Sequence, residues 1–73
     1  MNITIVGLGY VGTGLSILIS QNNKVIALDI DITKVEKINS SISPIDDEEI
    51  QDYLNSKKLN LKATTNDSEA YEN

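Results

Sequence analysis

The stretch Ile3-Thr4-Ile5-Val6-Gly7-Leu8-Gly9-Tyr10-Val11-Gly12 decides how this chain folds. A short apolar run stops at Gly7, two more glycines follow at fixed offsets, and a helical pattern begins at once. This order predicts a buried strand that turns sharply into a helix. The first amides of such a helix have no partner within it, and the helix dipole adds partial positive charge there. The turn therefore suits a phosphate.

The chain is short and acidic. Its 73 residues make at most one small domain, and it contains neither Cys nor His. A thiol nucleophile, an imidazole base and a zinc site are thereby excluded within this chain, so we expect no catalytic and no metal-binding residue in it. The net charge of −5 arises from residues 46–73, and all six basic residues are Lys. An acidic chain without Arg is a poor nucleic-acid binder.

The sequence shows no sign of a membrane-associated or secreted protein. The N-terminus lacks the basic region of a secretory signal, and the first apolar run is interrupted by Gly7. No stretch approaches the ~20 apolar residues that a membrane-spanning helix needs. We therefore expect no membrane partner and a cytoplasmic location.

Hydrophobic periodicity predicts the first helix and the side that it buries. The helix is expected from about Tyr10 to Gln21. Apolar residues recur at the i, i+4, i+7, i+8 positions of one helix face, and this predicted buried face consists of Val11, Leu15, Leu18 and Ile19.

Strands and helices alternate along the rest of the chain. A second buried strand is expected at residues 24–29. A second helix, capped by Asp31 and buried through Val35, Ile38 and Ile42, is expected to run to about residue 40. Pro44 marks a break, after which Asp46 begins a third helix. The alternating residues 59–64 predict a third strand, and Asp67 is expected to cap a last helix.

The order β-α-β-α-α-β-(α) predicts the fold class. It indicates an α/β protein with a Rossmann-like parallel sheet of three strands, the first half of a doubly wound dinucleotide-binding domain. Residues 1–73 are then expected to be a partial NAD-binding domain that stops before its second half. In the usual strand order the first strand is central, so one of its sides would be unpaired here. Such an edge predicts self-association, or a homo-oligomer, through the first strand.

The spacing of Gly7, Gly9 and Gly12 matches the dinucleotide-binding fingerprint GxGxxG. The first glycine allows the tight turn, the second lets the backbone approach a pyrophosphate, and the third lets helix and strand pack closely. Asp29 ends the second strand 22 residues after Gly7, where an acid that binds the adenosine ribose is expected about 20 residues on. The alternatives are a structural turn that binds nothing and an Asp29 that only caps a helix or turn.

Asp29 also predicts which dinucleotide binds. A carboxylate accepts hydrogen bonds from ribose hydroxyls and repels a 2′-phosphate, and no Arg is present to receive one, so NAD is favoured over NADP. The backbone amides of Tyr10 and Val11 should face the pyrophosphate, while their side chains pack. Lys34, in the first turn of the second helix, could reach the ribose; a solvated surface lysine is the equal alternative.

Several segments together resemble a known family. They are Gly7-Leu8-Gly9-Tyr10-Val11-Gly12, residues 25–31, residues 34–39 and Ile42-Ser43-Pro44-Ile45. At this spacing they resemble the start of the UDP-glucose 6-dehydrogenases, of the UDP-glucose/GDP-mannose dehydrogenase family, in their short bacterial form. The resemblance covers nearly the whole chain. Thr13 departs from it, because a larger apolar residue such as Leu is expected there.

The resemblance implies a function for the parent enzyme. The family oxidises UDP-glucose to UDP-glucuronate in two NAD-dependent hydride transfers through a thioester on a cysteine, and it supplies polysaccharide synthesis. It implies that the amide of Val11, the carboxylate of Asp29 and the ammonium of Lys34 contact NAD. The family's catalytic residues lie beyond residue 73, so this chain alone should be inactive and should meet UDP-glucose only through the remainder.

Two other interpretations stay open from the sequence. Regulatory domains of potassium-transport systems share the glycine turn and a strand that ends in Asp-x-Asp, and they bind NAD or ATP without catalysis. The helix predicted from Asp46 lies where those domains usually have a short loop, which favours the dehydrogenase. The other alternative is an inactive fragment.

Overall fold

The structure, a computed structural model, describes residues 2–71. Its elements follow the predicted order: β1 (Asn2–Val6), α1 (Tyr10–Ser20), β2 (Lys24–Leu28), α2 (Ile32–Asn39), α3 (Glu48–Ser56), β3 (Leu61–Thr64) and α4 (Asp67–Tyr71). The predicted α/β class is confirmed. The expected continuation of the last helix to residue 73 lies outside the described residues. None of the described helices is both long and apolar enough to cross a membrane.

The strands form one parallel sheet in the order β1-β2-β3. Ile5 pairs with Ala27, and Ala27 pairs with Ala63. The middle strand is β2, so β1 and β3 are the two edges of the described sheet, as the sequence predicts for β1. The carboxyl ends of all three strands lie at one end of the sheet, which is where ligands bind in open α/β sheets.

Helices cover both faces of the sheet. On one face α2 packs on β2 and β3 through a cluster of buried residues, namely Leu8, Ala27, Val35, Ile38 and Ala63. On the same side α1 meets α3 through Ile17, Ile50 and Leu54. The other face carries α4. The Thr4 hydroxyl of β1 donates a hydrogen bond to the Ala70 carbonyl oxygen of α4 at 2.8 Å. These contacts form a small two-faced core around β2.

The first helix turns a different side to the sheet from the predicted one. Val11, Leu15 and Leu18 are 71%, 43% and 64% exposed, and Ile19 is only partly buried. The prediction that these residues form the buried face was therefore wrong. The residues that α1 buries are instead Thr13, Ser16, Ile17 and Ser20.

Small hydroxyl residues can occupy this interface because each hydroxyl is satisfied locally. The Thr13 hydroxyl donates to the Leu8 carbonyl oxygen at 3.1 Å, and the Ser16 hydroxyl donates to the Gly12 carbonyl oxygen at 2.7 Å. A buried hydroxyl with such a partner avoids most of its desolvation cost. The short side chains also let the helix lie close to the sheet. Thr13, which departs from the family pattern, is fully buried here.

The helix caps of α3 and α4 lie one residue from their predicted positions. Asp47, not Asp46, caps α3, because its side chain accepts from the N–H of Ile50 at 3.0 Å. Asn66, not Asp67, caps α4 by accepting from the N–H three residues on, at 3.2 Å. Either member of each polar pair is a good cap, so the pattern alone could not choose between them.

Two further boundaries differ. The third strand begins at Leu61, two residues later than predicted, because the Asn60 N–H donates to the Ser20 carbonyl oxygen of α1 at 3.0 Å. Ile42, predicted on the buried face of α2, is 49% exposed. That helix ends at Asn39, before a turn in which residue 41 has φ +59°. Asp31 caps α2 as predicted, accepting from the Thr33 N–H at 2.9 Å.

Candidate dinucleotide-binding site

The turn between β1 and α1 needs a glycine at its first position. Gly7 has φ +97°, a backbone conformation that residues with a Cβ rarely adopt. Its N–H donates to the Leu28 carbonyl oxygen at 2.7 Å, which continues the β1–β2 ladder by one residue. Gly7 therefore ends the strand and redirects the chain in a single step, as the fingerprint predicts.

Gly12 is required by close packing inside the turn. A Cβ at this position would overlap the carbonyl oxygen of Gly7 and lie 3.7 Å from Cγ2 of Ile5. The first turn of α1 thus passes directly over the end of β1. This is the helix–strand contact predicted for the third glycine of the fingerprint.

Gly9 is different, because the protein's own packing does not require a glycine there. A Cβ at Gly9 would meet nothing within 4 Å, and the backbone is extended, with φ −74° and ψ −165°. Gly9 is the N-cap of α1 and provides no side-chain hydrogen bond to the helix. Open space above a glycine backbone is what a closely approaching ligand needs.

The N-terminus of α1 presents unpaired amides. The backbone hydrogen bonds of the helix begin at Thr13, whose N–H donates to the carbonyl oxygen of the N-cap residue Gly9 at 2.9 Å. Within residues 2–71, the N–H groups of Tyr10, Val11 and Gly12 have no acceptor. The first turn contains no acidic residue, so the helix supplies no carboxylate of its own to neutralise the positive end of its dipole. The arrangement can bind an anion such as a phosphate.

Asp29 joins the end of β2 to the glycine turn. One carboxylate oxygen (Oδ2) accepts from the Leu8 N–H at 2.7 Å, and the other (Oδ1) accepts from the Asp31 N–H at 2.8 Å. Both hydrogen bonds lower the pKa of Asp29 below its ordinary value, and the bond from the Asp31 N–H has the larger effect. The sequence predicted a ribose-binding acid here but not this bond to the turn. A carboxylate has about four lone-pair sites, so both oxygens can still accept a further donor.

Lys34 lies near Asp29 without touching it. It stands in the first turn of α2 and is partly buried. Its positive charge contributes to the lowered pKa of Asp29, yet the only ion pair within 4.0 Å in residues 2–71 joins Lys62 to Glu69. Among the described residues, the Lys34 ammonium is therefore not held by a carboxylate, and its charge acts on Asp29 across a gap.

A cleft opens beside Asp29 at the carboxyl ends of β1 and β2. It has a volume of about 250 Å³ and is lined by Val6, Gly7, Leu28, Asp29 and Ile30. Its wall is mostly apolar, and Ile30 is 98% exposed. An exposed apolar wall next to a hydrogen-bonding carboxylate suits a ligand that has both a flat apolar group and hydroxyls.

The side chains of Tyr10 and Val11 do not pack as predicted. Tyr10 is 68% and Val11 is 71% exposed. Tyr10 and Asp47, at the start of α3, line the same groove, and the Asp47 carboxylate raises the pKa of Tyr10. The contact links the glycine turn to α3. No sequence pattern indicated it, because the two residues lie on separate elements.

The structure therefore brings most of the predicted site residues to one end of the sheet. The three glycines and the amides of Tyr10 and Val11 form the turn, Asp29 is bonded to it, and Lys34 lies beside Asp29. These features fit a dinucleotide: three open amides for a pyrophosphate, and a cleft with a carboxylate for a nucleoside. Among residues 2–71 there is no group of three or more side chains that could hold a metal ion.

Comparison with known proteins identifies the family that the sequence motifs resemble. The model of the UDP-glucose/GDP-mannose dehydrogenase family, NAD binding domain, matches residues 1–73. The chain is 45% identical over 71 residues to a UDP-glucose 6-dehydrogenase of Streptococcus pneumoniae, covering 97% of this chain and 18% of the relative. It is 47% identical over 75 residues to a UDP-glucose 6-dehydrogenase of Campylobacter jejuni, covering 100% of this chain and 19% of that relative. The chain thus spans less than a fifth of the relatives it matches.

Proposed function

The chain belongs to the UDP-glucose/GDP-mannose dehydrogenase family as its NAD-binding domain, and on this premise we propose how its residues hold NAD. The pyrophosphate lies against the N-terminus of α1 and accepts hydrogen bonds from the amides of Tyr10, Val11 and Gly12. Gly9 provides the space for this approach. The adenosine lies in the cleft beside Asp29, and the Lys34 ammonium lies at its rim.

The observation that carries this proposal is the bond between Asp29 and the glycine turn. The Leu8 N–H donates to Asp29 at 2.7 Å, which holds the carboxylate next to the open amides of α1. A single ligand that has a phosphate and a ribose within a few bonds of each other could use both features at once. Neither a structural turn nor a helix-capping acid would need the open space above Gly9.

The same geometry favours NAD over NADP. Asp29 is ionised at neutral pH, and the two backbone bonds lower its pKa further below the ordinary value of 3.8. A 2′-phosphate placed on the adenosine ribose would lie against that carboxylate, and the chain contains no Arg to compensate. We expect NADP to bind at least about tenfold more weakly than NAD, which corresponds to about 1.4 kcal/mol.

The proposed parent activity is the NAD-dependent oxidation of UDP-glucose to UDP-glucuronate. Both relatives are UDP-glucose 6-dehydrogenases, and this chain covers 18% and 19% of their lengths. The chain has no Cys or His, so its part in that reaction is to bind and orient the dinucleotide. Contact with UDP-glucose and the role in polysaccharide synthesis would depend on the remainder of such an enzyme. The cytoplasmic location remains part of this proposal.

Turnover tests the division between binding and catalysis. The 73-residue chain is incubated with NAD and UDP-glucose, and NADH formation is followed by absorbance. We expect no turnover above the blank, because the chain contains neither a Cys that could carry the thioester nor a His that could act as a base. NADH formation that depends on the chain would contradict the proposal that it supplies no catalytic residue.

Calorimetric titration of NAD tests the site itself. The variant Asp29→Ala should bind NAD about ten- to a hundredfold more weakly, because a charged hydrogen-bond acceptor is lost. Asp31→Ala is the matched control: it removes the cap of α2, at about 1 kcal/mol of stability, and leaves the backbone N–H that bonds Asp29. Its NAD affinity should be unchanged. Equal affinities for Asp29→Ala and the unsubstituted chain would remove Asp29 from the site.

A further inference from the structure

A side chain of α2 is bonded to the outer edge of β3. The Asn39 carboxamide lies beside Ala63, where its nitrogen (Nδ2) donates to the Ala63 carbonyl oxygen at 2.9 Å and its oxygen (Oδ1) accepts from the Ala63 N–H at 2.8 Å. A hydrogen-bonded residue of an antiparallel ladder exchanges the same two bonds with its partner. A carboxamide can do so because it has both a donor and an acceptor. Asn39 therefore takes the place of a residue in a further strand.

Ala63 is a position at which β3 could pair with another strand. The Asp29 N–H donates to the Thr64 carbonyl oxygen at 3.1 Å. Thr64 thus directs its backbone groups to β2, and Ala63 directs its own outward by the alternation of a strand. Leu61, the other outward residue of β3, is half-buried and lines a cavity of about 200 Å³ together with residues of α2 and α3. These helices screen Leu61, which leaves Ala63 as the outward position that a further strand could reach.

The β3 edge remains an edge in a complete doubly wound domain. In the strand order 3-2-1-4-5-6 the third strand is outermost, and the described sheet has the matching order β1-β2-β3. The further strands of such a domain lie beside β1. An unprotected edge strand is a template for pairing with another chain, so protection of β3 has a purpose in the isolated chain and in a longer one alike.

The end of α2 holds Asn39 in place. Ser41, two residues after the helix ends, has φ +59°. Its N–H donates to the Ile38 carbonyl oxygen at 3.0 Å, and the Ile42 N–H donates to the Lys37 carbonyl oxygen at 2.8 Å. This pair of bonds is the Schellman motif, which ends a helix at a defined residue. Asn39 is thereby fixed as the last residue of α2, next to β3.

The choice of Asn at this position is explained by the bonds to β3. Asn is a weak helix former, because its side chain competes for backbone hydrogen bonds. The residues that α2 buries are Val35 and Ile38, so the apolar face of the helix does not need residue 39. What Asn39 adds is the pair of bonds with Ala63, which a better helix former without an amide would not supply.

We propose that Asn39 is an edge guard, a side chain that occupies the hydrogen-bonding groups of Ala63 and so prevents a strand of a second copy from adding to β3. Two features of β3 agree with a protected edge. The strand has only four residues, and it carries Lys62, whose side chain is 64% exposed; short strands and Lys residues are typical of protected edges. The proposal does not rest on NAD binding, because neither Asn39 nor Ala63 belongs to the proposed NAD site.

Sedimentation equilibrium of the 73-residue chain and two variants tests this proposal. Asn39→Ala removes both bonds and should lower the dissociation constant for self-association at least tenfold, because Ala63 is then free to pair. Gln51→Ala is the matched control. The Gln51 side chain also makes two backbone bonds, accepting from the Ser43 N–H at 2.8 Å and donating to the Ser41 carbonyl oxygen at 2.9 Å, but it lies on no strand edge.

Gln51→Ala should be destabilised to a similar extent and associate no more strongly than the unsubstituted chain. Association through any other surface would be common to all three chains, so the comparison isolates the β3 edge. If Asn39→Ala alone is too unstable to fold, Ser41→Gly is added to all three chains, because Gly is the preferred residue at a left-handed position after a helix.

Hydrogen exchange of the Ala63 amide locates the effect. In the unsubstituted chain and in Gln51→Ala this amide should exchange slowly at every chain concentration, because Asn39 bonds it. In Asn39→Ala it should exchange rapidly when the chain is dilute and slowly when it is concentrated. The proposal is overturned if Asn39→Ala associates no more strongly than Gln51→Ala, which would make Asn39 a stabilising contact only. Stronger association without protection of Ala63, or rapid exchange of Ala63 in the unsubstituted chain, would also overturn it.

Discussion

The fold requires two of the three glycines of the fingerprint, and it does so for different physical reasons. Gly7 is fixed by its backbone, at φ +97°. Gly12 is fixed by packing, because a Cβ there would overlap the Gly7 carbonyl oxygen. Gly9 is required by neither, since a Cβ there would meet no protein atom within 4 Å. Of the three glycines, Gly9 is therefore the one at which a substitution can test ligand binding without disturbing the fold.

Alanine substitutions at Gly9 and Gly12 should separate fold from binding. Gly12→Ala should lower the free energy of unfolding by about 3 kcal/mol, because backbone would have to move to admit the Cβ. Gly9→Ala should change it by less than about 0.5 kcal/mol and yet weaken NAD binding at least tenfold. Urea unfolding and calorimetric titration measure the two quantities. A stable Gly9→Ala chain that binds NAD normally would mean that no ligand passes close to Gly9.

The Asp29 carboxylate should make stability depend on pH in the acid range. Its pKa in the folded chain is lowered from the ordinary value of 3.8 by bonds from Asp31 and Leu8. A lowered pKa means that its contribution to stability is complete above pH 3.8 and is lost as the pH falls through the folded-state pKa. Asp29→Asn should remove that part of the acid dependence in unfolding measured by circular dichroism. An identical pH profile for the two chains would contradict the proposed role of the two bonds.

At the scale of elements, α1 is the part of the fold that differs most from its prediction. Ile17→Ala should cost about 2–4 kcal/mol of unfolding free energy, because Ile17 is 4% exposed and packs against Ile50 and Leu54. Leu18→Ala, at a position that is 64% exposed, should cost less than about 0.5 kcal/mol. Urea unfolding of the two variants makes the comparison. If Leu18→Ala cost more unfolding free energy than Ile17→Ala, the face predicted from periodicity would be the buried one.

The reason for this difference is physical. Periodicity counts large apolar residues and assigns the face that holds most of them to the core. In α1 the side next to the sheet is instead occupied by Thr13, Ser16 and Ser20, whose hydroxyls are bonded to nearby carbonyl oxygens. Close approach at Gly12 favours short side chains on this side. The larger residues Leu15 and Leu18 are then left facing outward.

The strands, the glycine turn and the cap of α2 were easier to predict because local chemistry decides them. The apolar runs at β1 and β2, the glycine spacing and Asp31 as a cap each depend on a few adjacent residues. The bond from Leu8 to Asp29 and the contact of Tyr10 with Asp47 join residues on different elements. Such contacts depend on the register of the folded sheet, which one sequence does not reveal.

At the scale of the whole molecule, the sheet order β1-β2-β3 agrees with the first half of a doubly wound domain. One end of the sheet gathers the glycine turn, Asp29 and Lys34, and these residues together are the proposed NAD site.

The central claim is that NAD binds through the amides at the start of α1 and the carboxylate at the end of β2. Titration of NAD into the ¹⁵N-labelled chain, followed by amide chemical shifts in NMR spectra, tests it most directly. The account predicts that the largest shift changes occur at Tyr10, Val11 and Gly12, with none at Asn22 and Asn23 at the opposite end of α1. Unchanged spectra at millimolar NAD, or changes centred away from the glycine turn, would contradict it.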